Sequence, residues 1–404
     1  MIRVLLLIAS AVVLLFPPSF GRVLNVPGSY TTIQGAITAA TSGDTVLVAL
    51  GTYRENISFR GKNITVASHY LLNPDLSIIQ QTIIDGSSPA NADTGSVVRF
   101  VTRVDSTATL CGFTLINGIG TLVPGSFAGG GILVLNASAP RIRFNIIRGN
   151  NAIQGAGIAV RNSAPLIEHN AIVDNTAGDG GGLYLDGAAV TINHNVIANN
   201  DAEFNGGAMY IKSSLVNFAN NIVSGNAAPS CGGLHCNGGI WTIENNDFYL
   251  NQAANFVNCG GPELGNFAGA KNFNLDSADI YENIAKDPQF VNAMGFDYRL
   301  LCTSRMIDAG AATPSTYPQG GAREDVGMFE YPYRVGDLND DNKINLADAT
   351  RLINTIFLGA PVDCPVFAGD CDCNRRINIT DIVALINYWV GYAQTACLYT
   401  PIAP

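Results

Sequence analysis

Between residues 129 and 251 short apolar runs alternate with glycine and asparagine at a fixed spacing. The segments Asn145–Asn150, Asn170–Asn175, Asn195–Asn200, Asn221–Asn226 and Asn246–Asn251 follow one another at steps of 25, 25, 26 and 25 residues. Glycine clusters fall between them, at 129–131, 155 and 157, 180–182, 206–207 and 232–233, and an apolar run such as Ile158–Val160 or Leu183–Leu185 follows each cluster. Nothing in the period repeats as a helix would. Three apolar runs per period, separated by Gly or Asn, predict three strands and three bends per turn of a parallel β-helix. One coil cannot bury its own inward side chains, so coils stack about 4.8 Å apart around a shared core. An inward asparagine recurring at a bend is expected to form a ladder of amide-to-amide bonds. Asparagine also tolerates the left-handed backbone that a bend requires. The Leu-x-x-Leu-x-Leu frame of a leucine-rich repeat is absent, and a propeller blade is longer than this period.

Ahead of the coils, Ile33, Ala36, Ile37 and Ala40 fall on one helical face, which predicts a helix capping the apolar end of the solenoid. The first strands are read over Gly43 to Ile57. The solenoid closes over Asp287–Val291, Asp297–Leu300, Ile307–Gly310 and Asp325–Tyr331. In these segments the chain resembles the right-handed parallel β-helix proteins of the pectin-lyase-like superfamily, over roughly residues 23 to 331. The resemblance implies an architecture: an all-β right-handed parallel β-helix solenoid over 22–331. It does not imply one activity, because the fold hosts lyases, hydrolases, esterases, epimerases and adhesins. The opening Gly51, Thr52, Tyr53, Arg54, Glu55 is of the pectin methylesterase type. The later catalytic motifs of that family, of polygalacturonases and of pectate lyases have no match, so none of their catalytic residues carries over.

Composition narrows the setting. The chain has 404 residues, 47% of them hydrophobic and 13% charged, with a formal net charge of −10. Such a chain is long enough for more than one domain. It is too apolar to be disordered, and too acidic to favour nucleic acid as a partner. Residues 1–21 read as a signal peptide: Arg3, an apolar run from Val4 to Phe16, then Pro17 and Pro18, with Ser19 and Gly21 as small residues at a cleavage site. A short membrane anchor is the rival reading of that run. The protein is therefore expected to be secreted or on the cell surface, as a monomer. Of nine cysteines, Cys364, Cys371, Cys373 and Cys397 cluster near the C-terminus, where two disulfides are expected in an exported protein. Zinc is the rival there, with the wrong spacing at Cys371 and Cys373. Cys111, Cys231, Cys236, Cys259 and Cys302 are an odd set, so at least one is expected to stay a buried thiol.

Stacked coils bring residues one period apart together. Asn136, Arg161, Asp186, Lys212 and Asn237 are expected in register, with Asp186 between two cations. As a catalytic set, Arg161, Asp186 and Lys212 would line a groove for an acidic polysaccharide. Arg161 or Lys212 would neutralise a uronate carboxylate or act as the base of a β-elimination, in a polysaccharide lyase or, failing that, a glycoside hydrolase. As a structural set they form a charge ladder between coils, and Arg143 with Glu168 form another. Asp179, Asp201 and Glu203 are read as a calcium cluster or as solvated turn charges. His169 and His194 stack one period apart without an obvious third metal ligand. Phe256 to Ile284 is less regular, and is read as an enlarged coil or a covering loop.

After Tyr333 the pattern changes to two matched units. Asp337, Asn339, Asp341, Lys343, Asn345 and Asp348 occupy positions 1, 3, 5, 7, 9 and 12 of one 12-residue loop. Asp370, Asp372, Asn374, Arg376, Asn378 and Asp381 do so in a second, 33 residues on. Oxygen side chains at 1, 3, 5, 9 and 12, with a backbone carbonyl at 7, wrap a hard cation such as Ca2+. An apolar helix follows each loop, with Leu352, Ile353 and Asn354 matching Leu385, Ile386 and Asn387. One loop and one helix per unit, and Asp rather than Glu at position 12, resemble a type I dockerin, here over 335–393 with a tail at 394–404. The resemblance implies a small α-helical module that binds calcium and docks onto a cohesin-like partner. Loop positions 10 and 11, which tend to set partner choice in that family, are Leu346 and Ala347 in one loop but Ile379 and Thr380 in the other. Arg375 at position 6 of loop two carries a steric cost where glycine is usual, so loop two is expected to bind calcium more weakly. The leading functional expectation is a carbohydrate-active or carbohydrate-binding β-helix mounted on a partner. Its alternative is a non-catalytic adhesin or spacer.

Overall fold

The computed structural model describes residues 21–312, 323–339, 341, 343–360, 366–372, 374 and 376–392. The signal-peptide reading, Cys364, Cys373, Cys397, Asn342 and Arg375 lie outside the described residues. Among those described, no helix is long and apolar enough to cross a membrane.

The body of the chain is a parallel β-helix with parallel sheets of 15 and 8 strands and a third, 6-stranded sheet that is parallel apart from one reversed strand, Gly120–Val123. Each regular turn supplies four strand segments rather than the three expected. One turn runs through Ile158–Arg161, Leu166–Glu168, Ala171–Val173 and Thr176–Asp179. Further on, the first two segments fuse into single strands, Met209–Ala219 and Leu234–Glu244, which joins their stacks into the largest sheet. The extra bend carries no glycine cluster or asparagine pair. It is turned by one left-handed residue, Asn162 (φ 47°) in one coil and Gly187 (φ 61°) in the next.

Inward side chains stack in register. Ile158, Leu183, Met209 and Leu234 form one row and Ile167, Ile192, Phe218 and Ile243 another, all within the main core. The two asparagine ladders are present. Asn145, Asn170, Asn195, Asn221, Asn246 and Asn283 each pass an amide N–H to the next side-chain oxygen at 3.0–3.1 Å. Asn150, Asn175, Asn200, Asn226 and Asn251 do the same at 2.9–3.0 Å. The ladder residue is not the left-handed one, however. The positive φ belongs to the residue before it, for example His169 (53°) before Asn170 and Asp174 (53°) before Asn175. This frees the asparagine side chain to point inward, where it satisfies carbonyls that a bend would otherwise leave buried and unpaired. Glycine is required where coils approach most closely: a Cβ on Gly157 would lie 2.5 Å from the Gly182 carbonyl oxygen.

Both ends of the core are closed. Helix α1 (Ile33–Ala39) covers the first coil with Ile33, Ala36 and Ile37, and its first amides donate to the Glu55 carboxylate at 2.8 Å. At the far end Phe256, Leu264 and Phe267 lie against the core, and a disulfide joins Cys236 of the last full coil to Cys259. The irregular stretch after Phe256 thus begins as an end cap. Cys302 is also disulfide-bonded, whereas Cys111 and Cys231 are buried thiols. Cys371 is a buried thiol as well, so it does not enter the C-terminal pairing expected of it.

The remaining chain returns along the flank. Ile146, Ala171, Val173, Val196, Ala198 and Ile222 form the outward face of the 8-stranded sheet, yet all are buried, under Met306, Ile307, Val326 and Met328. After this closing segment come helix α3 (Leu346–Leu358) and helix α4 (Ile379–Trp389), packed on each other through Leu352, Ala349, Ile382 and Leu385. A short helix α2 (Leu76–Gln81) lies beside the N-terminal coils.

Candidate functional site

Two regions gather the residues singled out in the sequence. The first is the outward face of the strands that follow the glycine clusters. Arg161, Asp186, Lys212 and Asn237 are in register on adjacent strands. Asn136 is not: Val134 pairs with Val160, which sets Leu135, not Asn136, opposite Arg161. Lys212 Nζ lies 3.3 Å from Asp186 Oδ2. The Arg161 guanidinium turns the other way, donating to Gln154 Oε1 and, at 3.2 Å, to the Pro124 carbonyl. That carbonyl belongs to the hairpin of Gly120–Val123 and Ser126–Ala128, whose Val123 covers Leu133, Ala159 and Tyr184. Beside the charges runs an aromatic row that sequence reasoning missed: Tyr184, Tyr210 and His235, with centroids 5.4 and 5.3 Å apart. Their spacing of 26 and 25 residues was the available signal. The rings stack on one another along the solenoid axis; Tyr184 is buried, and Tyr210 and His235 are half-buried. Tyr210 Oη accepts from Asn237 Nδ2 at 3.1 Å. Burial pushes the Tyr184 hydroxyl up to about 12 and lowers His235, whose imidazole is opposed in this by the nearby Asp179.

The other candidates separate. Asp179 is held by Asn205 Nδ2 at 2.9 Å, while Asp201 pairs in register with Thr176, so the three turn carboxylates do not converge. Arg143 and Glu168 are in register, but the cation nearer Glu168 is Arg141, at 4.0 Å. His169 and His194 stack at 4.8 Å within a column that also holds Tyr70 and Phe144. The closing segment covers the column: His169 Nδ1 meets the Met328 carbonyl at 2.9 Å, and His194 Nε2 meets Glu324 Oε2 at 3.1 Å. Burial lowers His169 to about 4. These histidines hold the closing segment in place.

The second region is the pair of 12-residue loops, which share most of their side-chain to backbone bonds. In loop one the Asp337 and Asn339 side chains accept from the Asp341 amide, and Asp341 accepts from the Lys343 amide. In loop two Asp370 and Asp372 accept from the Asn374 amide, and Asn374 accepts from the Arg376 amide. Position 12 closes each loop through the position-9 amide and one amide near the loop's start, at position 2 in loop one and position 3 in loop two. Asp348 accepts from Leu338 and Asn345 amides at 2.9 and 2.8 Å, and Asp381 from Asp372 and Asn378 amides at 3.2 and 2.8 Å. The position-9 asparagines cap α3 and α4, each in a capping box with the position-12 aspartate. In loop two the carboxylates of Asp370, Asp372 and Asp381 come within 4.8 Å of one another. Burial, with the like charges of Asp372 and Asp370, raises Asp381 to about 6. Three carboxylates gathered this closely repel unless a cation or protons join them, so the donor set fits a hard divalent ion.

Beyond the loops, α3 and α4 carry apolar side chains that the described residues leave exposed. Leu346, Phe357, Ile379, Val383 and Trp389 are 48–60% exposed. A helix pair with this much open apolar side chain is built for contact with another surface.

A parallel β-solenoid followed by two loop–helix units with calcium-type spacing defines the class of this chain. Residues 114–264 match the family model described as right handed beta helix region, and residues 335–389 match the dockerin type I domain. The chain thus carries a right-handed β-helix and, C-terminal to it, a type I dockerin. Among solved structures it is similar to a deglycosylated pectin methylesterase from Aspergillus niger, at 16% identity over 60% of this chain and 81% of that one, with a TM-score of 0.41. It is similar to pectate lyase Pel9A at 15% identity over 77% of this chain and 97% of that one, with a TM-score of 0.38. No curated protein matches the chain.

Proposed function

We propose that this protein is exported and docks through calcium-loaded α3 and α4 onto a cohesin-like module, presenting its β-helix to polysaccharide. The observation that carries the docking is the repetition of the two loops, each capped by its position-9 asparagine and leading into a helix with exposed apolar residues. Calcium would be held in loop one by Asp337, Asn339, Asp341, the Lys343 carbonyl, Asn345 and Asp348. In loop two Asp370, Asp372, Asn374, the Arg376 carbonyl, Asn378 and Asp381 would hold it. The ion supplies the charge that lets these carboxylates sit together, and the capping boxes pass that order into the helices. Titration calorimetry against a panel of cohesin modules tests this. Binding should need calcium and vanish with chelator, and Asp370→Ala combined with Asp337→Ala should abolish it. Calcium-independent binding, or none across the panel, refutes the docking.

The polysaccharide part rests on the outward face that bears Asp186, Tyr210, Lys212, His235 and Asn237. A second reading, a non-catalytic spacer or adhesin, is favoured by one observation: the charges are already spent, Lys212 on Asp186 and Arg161 on Gln154 and Pro124. Incubation with uronate and neutral polysaccharides separates the two. New ultraviolet absorbance lost in Lys212→Ala indicates a lyase, and new reducing ends without absorbance indicate a hydrolase. Silence, with no retention on the same polysaccharides, leaves the spacer.

A further inference from the structure

The dockerin does not hang from a free linker. Tyr333 and Ala368 are 6% and 1% exposed and share one apolar cluster with Met306, Ile307, Val326 and Met328 of the closing segment. Ala368 belongs to the dockerin, in the turn Val366–Gly369 that leads into Asp370, the first residue of loop two. Val335 touches this cluster and also the dockerin's own core of Leu338, Leu352, Cys371 and Leu385. The Gly336 amide donates to the Ala368 carbonyl at 2.8 Å, and the Arg334 guanidinium donates to Tyr388 Oη of α4 at 3.4 Å. On the solenoid side the Tyr333 hydroxyl donates to Asp308, which the Arg323 amide also reaches, at 3.1 Å. Only Gly369 separates Ala368 from Asp370.

We propose that loop two is a calcium-operated clamp: an ion at Asp370, Asp372 and Asp381 fixes the Ala368 turn, and the fixed turn seats the dockerin rigidly on the solenoid's closing segment. Without the ion, the repelling carboxylates spread, the turn shifts, and Ala368 withdraws from Tyr333. Loop one adjoins the same seam, because Gly336, which bonds Ala368, directly precedes Asp337. Both loops order a helix, and loop two, through Ala368, also sets the angle at which the docking surface is presented. The proposal rests on calcium binding by the loops, not on the identity of the partner or of any carbohydrate.

Hydrogen exchange of the full-length chain, with calcium and with chelator, tests it. Calcium should slow exchange of the Gly336 amide by about tenfold or more, as expected when a local opening is suppressed, alongside the loop peptides 337–348 and 370–381. Protected loops with an unchanged Gly336 overturn the clamp and leave calcium binding standing. Unprotected loops overturn both. A second variant probes the reverse direction without touching a ligand. Ala368→Arg wedges the seam, and because coupling is reciprocal it should raise the calcium needed to protect 370–381 about tenfold. Identical calcium titrations for this variant and the parent also overturn the clamp.

Discussion

Replacing Asn170 by alanine tests how much the asparagine ladder contributes. The side chain is fully buried. Its amide reaches the carbonyls of Ile142 and Glu168 at 2.8 and 2.9 Å and Asn195 Oδ1 at 3.0 Å. Its oxygen accepts from both the backbone and the side-chain nitrogen of Asn145 at 3.0 Å. Alanine leaves the Asn145 backbone N–H without that acceptor, removes a donor from two carbonyls and opens a small void. At ~1–3 kcal/mol for a buried group left unpaired, the expected loss is about 2–4 kcal/mol. Urea titration gives the total, and exchange of the Asn145 amide gives the local part. Asn151→Ala, at an exposed position one rung away, should stay within about 0.5 kcal/mol of the parent. Asn170→Asp should cost more at neutral pH, because it sets oxygen against three oxygens. Its carboxyl would be raised in the folded chain, so the penalty should shrink as acid protonates it. If Asn170→Ala matched the Asn151 control, the ladder would be a by-product of coil stacking and the reasoning would fail.

Three further outcomes are expected. Opening the Cys236–Cys259 bridge, which spans 23 residues, should destabilise the C-terminal cap by about 3 kcal/mol on the chain-entropy estimate, and limited proteolysis should then cut first around Ala254 to Phe267. Lys212→Ala should cost less than about 1 kcal/mol, because the lysine side chain is 45% exposed and its ion pair is screened; a larger loss in urea titration would mean the pair braces the coils. The closing segment should loosen at both ends of the pH range. Burial holds His169 at about 4, so its contribution is complete above pH ~6.5 and is lost as pH falls from there to about 4. Burial raises Glu330 together with the adjacent Asp325, so the pair's contribution is complete below the ordinary carboxylate range and is lost as pH rises above it. Glu330→Gln should flatten the neutral side of a melting-temperature profile and His169→Phe the acid side; profiles parallel to the parent's would refute the assignment.

Much of the solenoid is legible because its period is written in side chains with one job each. The asparagine steps gave the coil length, the ladders and the register from Arg161 to Asn237. What escaped was the bend at Asn162, which any residue tolerant of positive φ can turn. The cover over the 8-stranded sheet also went unread, although its sign was there. Ala171, Ile172 and Val173 are apolar in succession, as are Val196, Ile197 and Ala198, and a strand apolar on both faces is buried on both. The dockerin loops were legible because ligand spacing is a local property. The candidate catalytic set was legible only as adjacency. Register places Asp186 between Arg161 and Lys212, but rotamers decide the partners, and Arg161 is drawn off by Gln154 and a hairpin more than thirty residues away in sequence.

The attachment of the closing segment alters how the molecule would carry a load. Met328 and Glu324 meet His169 and His194, which belong to coils in the interior of the stack rather than to its last turn. Tension entering through a tethered dockerin therefore reaches the β-helix on its flank. A pull on the final coil would peel strands apart one hydrogen bond at a time. A sideways pull divides its strain among several coils, the interlocked asparagines and the apolar seam together. A protein docked in this way would be held like a beam bracketed along its side, with the fastening spread over several coils.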